Sequence, residues 1–168
     1  MKKIQKIAVT NRILAIMLSM SVMSACNIFP DDRNNFLPDE MIYLNISENR
    51  VNVPVGDGGY TFAVIKSGKG LSEADVFLSF DADVLEEYNT IHGTSYKMVP
   101  ENILQGFSQE NFHFNTPDGR NNITVSWDPD ALAAYMRLGK YAIPIKMKAS
   151  PLKIVSDKDF LLLVPVTE

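Results

Sequence analysis

From residue 41 onward apolar and polar residues alternate with a period of two, the spacing at which successive side chains fall on opposite faces of a strand. Met41–Ile46 puts Ile42, Leu44 and Ile46 on one face, and Val51-Asn52-Val53-Pro54-Val55 alternates in the same way. Gly56-Asp57-Gly58-Gly59 supplies a turn in which positive φ is cheap. Tyr60–Lys66 then continues as a return strand, so residues 51–66 are expected to form a hairpin. After a break at Ser67-Gly68-Lys69-Gly70, Ala74–Phe80 places Val76, Leu78 and Phe80 on a common face. Further strands are expected over 111–115, 122–127, 140–148 and 160–167, with Pro144 and Pro165 demoting parts of the last two to sheet edges or bulges. Two short helical stretches interrupt them. Asp83–Asn89 carries an acidic N-cap, and Asp128-Pro129-Asp130-Ala131 sets Asp at a cap and Pro in the first turn. Short strands joined by Gly, Asn and Asp turns predict an all-β fold, a two-sheet antiparallel sandwich with one or two helical turns.

The N-terminus follows a different rule. Lys2, Lys3, Lys6 and Arg12 precede an apolar run, Ile13–Met23, that is broken only by serines. Its 11 residues fall short of the roughly 20 that span a bilayer, so residues 1–25 are expected to be a secretory signal peptide. The run ends in Met23-Ser24-Ala25-Cys26, which resembles a bacterial lipobox, and Cys26 is the one cysteine of the chain. Cys26 is the expected lipidation site and new N-terminus, anchoring the protein to a membrane without spanning it. Residues 26–40 are polar and aperiodic, a flexible tether carrying the protein away from the lipid.

Composition narrows the function. The chain has 168 residues, 46% of them hydrophobic, enough for one core of ordinary size and hardly two. Sixteen basic against twenty acidic residues give −4, and without the leader the count is 12 against 20, or −8. An acidic surface repels phosphate backbones, so no nucleic-acid partner is expected. One cysteine excludes an internal disulfide and a Cys-rich zinc site. Asp81 and Asp83, with Glu86 and Glu87 close by, have the residue types of a carboxylate pair or a calcium loop. An EF-hand counted from Asp81, however, would put Leu85 and Glu86 where an oxygen ligand and a glycine belong. They are expected to close a strand and cap a helix. His92 stands before a glycine turn and His113 alternates with Phe112 and Phe114, so both are expected to be exposed or hydrogen-bonded structural groups. Ile123, Val125 and Trp127 share a strand face, which predicts a tryptophan packed between the sheets. Tyr88 and Tyr96 are expected to pack around the helical turn with their hydroxyls on backbone groups. Tyr60, beside the glycine-rich turn, has the least reason to be buried and is the candidate ligand-binding ring.

The run Val76–Asn89, followed by Gly93-Thr94-Ser95-Tyr96 and Val99-Pro100, with Tyr141-Ala142-Ile143-Pro144-Ile145 downstream, resembles the Bacteroidetes lipoprotein module known as domain of unknown function 1735. The likeness extends over roughly residues 40–168. It implies an Ig-like sandwich over 41–168, the kind of module that often precedes lectin-like or family-18-glycosidase-like domains in proteins of polysaccharide use. It implies no catalytic residue, and family 18 chemistry needs a barrel that this chain lacks the βα units to build. The Asp31-Asp32 pair also resembles the acidic signal that sends such lipoproteins to the outer face of the outer membrane. The expectation is a non-enzymatic, lipid-anchored cell-surface accessory or binding module linked to glycan capture. Its partners would be the membrane, through Cys26, and polysaccharide or glycan-uptake proteins, with no cofactor and no metal. The alternative is a structural or adhesive subunit joined through strand edges.

Overall fold

A computed structural model of the chain describes residues 39–68, 71–105, 109–115 and 119–167. The leader, Cys26 and nearly all of the expected tether lie outside the described residues. In chain order the elements are β1 (Met41–Leu44), β2 (Arg50–Pro54), β3 (Gly59–Ser67), β4 (Ala74–Phe80), α1 (Ala82–His92), β5 (Lys97–Met98), β6 (Leu104–Gln105), β7 (Gln109–Phe114), β8 (Gly119–Trp127), α2 (Pro129–Met136), β9 (Tyr141–Ser150), β10 (Lys153–Ile154) and β11 (Phe160–Val166). Single 3-10 turns sit at Val55–Asp57 and Glu101–Ile103.

The protein is an all-β sandwich. One sheet runs β10-β1-β3-β8-β6, the other β2-β11-β9-β4-β7, with β5 added beside β9. Between them lie Ile42, Leu44, Val64, Val76, Leu78, Ile123, Val125, Trp127, Ile143, Ile145, Met147, Leu161 and Leu163, all buried in one cluster. The period-two positions read from the sequence are the ones that meet there. Trp127 is 2% exposed and its indole Nε1 donates to the carbonyl of Val55 at 2.9 Å, so the ring is core with its polar atom satisfied. Lys66 is fully buried on β3 and places its ammonium 3.3 Å from Glu40, just ahead of β1. Glu40 also accepts the backbone N–H of Ser72 at 2.9 Å. Hydrogen bonding from Ser72 is the main cause that holds the Glu40 carboxyl below its usual range. Burial opposes it, and Lys66 adds to it.

Three expectations are corrected. The segment 51–66 is not a hairpin: β3 is paired on both edges, by β1 and β8, whereas β2 runs parallel to β11 in the opposite sheet. The glycine-rich stretch is therefore a crossover between sheets, held by Trp127, whose N–H donates to the Gly58 carbonyl at 3.0 Å. Gly58 has φ 66°, and a Cβ on Gly59 would stand 3.0 Å from the Val125 carbonyl, so the pair answers to β8 packing rather than to a two-strand turn. The sandwich is also not wholly antiparallel, since β1·β10, β2·β11 and β5·β9 are parallel.

The prolines make no bulge. Pro144 lies inside the continuous strand β9, and its carbonyl accepts from the N–H of Asp81 at 3.2 Å. Its nitrogen points the same way, toward Asp81, so the reciprocal bond of that pair is absent and the β4·β9 ladder ends at Phe80 and Ile145. Pro165 lies past the last β9·β11 pair, Leu163 with Ile143.

Candidate functional site

The six-stranded sheet turns the even-numbered residues of β9 and β11 away from the core. Ala142, Leu162 and Val164 are buried there by Leu85 of α1, with Tyr88, Tyr96 and Met98 packed around them. The helix sits over this half of the sheet because both its ends are fixed. Asp81 caps the start, its carboxylate accepting from the N–H groups of Asp83 and Val84 at 3.0 and 3.4 Å. Gly93, at φ 61°, ends it, and its N–H returns to the Asn89 carbonyl. Asn89 then holds the following loop: its Oδ1 accepts from the Thr94 hydroxyl at 2.8 Å and the Tyr96 N–H at 2.9 Å, and its Nδ2 donates to the Tyr96 carbonyl at 2.9 Å. The Tyr-Asn and Gly-Thr-x-Tyr motifs are thus the device that folds this loop back on the helix. The Tyr96 hydroxyl accepts from the Arg50 guanidinium at 3.5 Å, so it meets a side chain and not the backbone group expected.

Where α1 stops covering the sheet a cleft of about 390 Å³ opens, within the size range of ligand sites. It is lined by Val84, Glu87, Tyr88, Ile91 and His92 of α1, by Lys146 and Phe160 of β9 and β11, and by Asn49, Asp157 and Asp159 from loops. The Tyr88 and His92 rings lie 4.2 Å apart, 30° from parallel. Lys146 is bonded to Asp159 at 2.6 Å and its ammonium stands 6.0 Å from the centre of the Phe160 ring. Ile91 is 66% exposed. Asp157 takes a left-handed conformation, φ 60°, in the turn before β11, a geometry that Asp tolerates better than most residues. That turn is tied down by Lys158, whose ammonium donates to the Ile46 carbonyl at 2.7 Å. Apolar ring faces beside carboxylates, an amide and an ammonium suit a ligand with both C–H faces and hydroxyls.

The residues singled out in the sequence divide among several places. Asp81 is a helix cap and Asp83 lies in the first turn behind it. His92 is exposed on the cleft rim. His113 is exposed on β7, its Nδ1 2.8 Å from Asp75 and its Nε2 3.4 Å from Glu73. Hydrogen bonding to Asp75, helped by both negative charges and opposed by burial, raises the imidazole above its usual range. Tyr60 is half-buried on β3, packed against the core and opposite Val125. Asn49, Lys146, Asp159 and Phe160 carry no local motif, and only tertiary pairing assembles them. The nearest signal is Lys146, a charge within the otherwise apolar run 141–147.

Residues 34–154 match a family described as "-like, N-terminal domain". No curated protein matches the chain. Among solved structures, a protein from Bacteroides ovatus described as a proposed carbohydrate-binding protein is 21% identical, with a TM-score of 0.53, over 74% of this chain and 36% of that one. EndoBT-3987 of Bacteroides thetaiotamicron, solved with a Man5GlcNAc product, is 18% identical with a TM-score of 0.50, over 70% of this chain and 28% of that one. A multidomain protein including domain of unknown function 1735 from Bacteroides ovatus is 14% identical with a TM-score of 0.51, over 76% of this chain and 44% of that one. This chain spans less than half the length of each. The residue pattern that suggested domain of unknown function 1735 and the family match agree, and the chain belongs to this family of N-terminal domains.

Proposed function

We propose that the domain is a non-enzymatic glycan-binding module, carried on the outer membrane by a lipid on Cys26 and displayed at the cell surface. The cleft beside α1 carries this reading: rings from Tyr88, His92 and Phe160 stand next to Asn49, Glu87, Asp157 and Asp159, the mixture of stacking faces and hydrogen-bonding groups that a sugar ring needs. The carbohydrate-binding description of the Bacteroides ovatus protein and the glycan held by EndoBT-3987 support it. The lipobox-like stretch ending in Cys26 supports the anchor, and the acidic pair Asp31-Asp32 supports surface display.

Isothermal titration of the full chain with neutral plant and host oligosaccharides, with product analysis on the same samples, tests the function. Saturable heat without product is expected, at micromolar to millimolar Kd because the site is open and shallow. Released product overturns the non-enzymatic reading. Replacing Cys26 by serine tests the anchor: the protein should leave the membrane fraction, and a variant that still carries acyl chains there contradicts it.

A further inference from the structure

Resting on the glycan reading of the cleft, we infer that the site continues across the open outer face of the six-stranded sheet to a second stacking position at Phe77, so that the ligand is the interior of an extended, neutral polysaccharide chain.

Phe77 is 42% exposed on β4, between Val76 and Leu78, which are fully buried. Its ring belongs to the outer face, where it lines a depression of about 360 Å³ with Asp75, Asn111 and His113. The register connects this depression to the cleft without a break. Phe160 on β11 stands opposite Lys146 on β9, Lys146 opposite Ser79 on β4, and Phe77, two residues along β4, opposite Lys148 and Asn111. Two strand spacings across and two residues along place Phe77 about 12 Å from Phe160. A single sugar ring stacked on Phe160 does not reach that far, whereas a chain of several sugars crosses it and passes over Ser79 and the lysine stems.

Charge sets the class. Lys146 is matched by Asp159, and His113 by Asp75 and Glu73. Of the remaining groups, Lys148 is exposed on the outer face, and two exposed acids, Glu87 and Asp157, line the cleft. With the chain at −4 overall, an anionic chain carrying uronate or sulfate meets more repulsion than attraction, and an uncharged one meets neither.

The test is a ladder of neutral β1,4-linked gluco-, manno- and xylo-oligosaccharides, from disaccharide to hexasaccharide, titrated into the full chain and into Phe77→Ala, Phe77→Tyr and Tyr88→Ala variants. The thermal midpoint of each variant serves as the folding control. In the series that binds, the hexasaccharide should bind about tenfold tighter than the disaccharide. Phe77→Ala should remove that gain and leave the disaccharide unchanged, Phe77→Tyr should keep it, and Tyr88→Ala should weaken both. Equal affinity for both lengths, insensitivity to Phe77→Ala, or tighter binding of a sulfated or uronate chain overturns the extended neutral site while leaving the cleft reading intact. Absence of binding in every series overturns the cleft reading itself.

Discussion

The six-stranded sheet buries most of its inner face and only part of its outer face. Inside, Val76, Leu78, Ile143, Ile145, Met147, Leu161 and Leu163 are at most 1% exposed. Outside, α1 covers Ala142, Leu162 and Val164 and then ends, leaving Phe77, Lys148 and the rim of the Phe160 cleft open to water. The same strands supply both faces, in alternation, so the contrast comes from what lies over them and not from strand propensity. The inner face fixes the fold. The outer face, freed from that task, can carry rings and charges that a core would reject.

The contrast breaks first where packing is deepest. Trp127→Ala should cost about 3–5 kcal/mol, because it empties a large core site and leaves the Val55 carbonyl without its indole donor. Denaturant unfolding measures it, and a loss under 1 kcal/mol would show that the ring is not packed as described. Leu85→Ala on the outer side should cost about 2 kcal/mol, the low end for a buried leucine, since its cluster contains only three other buried residues and can relax toward solvent. Asn89→Ala removes three hydrogen bonds that fold the Thr94–Tyr96 loop against α1 and should cost about 1–3 kcal/mol. It should also weaken ligand binding, because Tyr88 and His92 lose a fixed backbone. Phe77→Ala, on the open face, should stay within about 0.5 kcal/mol of the parent.

The smallest effect is electrostatic. The folded protein holds the His113 imidazole above its ordinary 6.5, so the protonated form is favoured on folding. The stability this confers is complete below pH 6.5 and is lost as the pH rises through the higher folded value. His113→Gln should flatten that part of a thermal-midpoint profile. Glu40 behaves in the opposite sense: its carboxyl is lowered, so its contribution is present above 4.5 and fades as the pH falls through the folded value.

Local chemistry was readable from the sequence wherever a short segment decides its own structure. Asp81 and Asp128 cap the helices they precede, and the alternation around Trp127 sends the ring inward, as expected. The hairpin expected over 51–66 does not form, because turn residues announce a reversal without saying which strand takes the freed edge. β8 took it, through Trp127 and the close approach to Gly59. The cleft was illegible for the same reason. Asn49, Tyr88, Lys146 and Phe160 lie in four separate segments that only the packing of α1 on β9 and β11 brings together. Tyr60 stands beside a glycine-rich turn, and the structure sets it half-buried against the core, on the opposite sheet from the cleft.

The central claim is that ligand binds on the outer face of the six-stranded sheet, at the α1 border. Backbone and side-chain NMR shifts of the isotope-labelled full chain, followed during titration with whichever oligosaccharide gives saturable heat, test it most directly. The account predicts shifts concentrated on Glu87, Tyr88, His92, Asp159 and Phe160, extending to Phe77 and Asn111 with longer chains. Shifts centred instead on Tyr60 and the β3·β8 pair, with the α1 border unchanged, would contradict it.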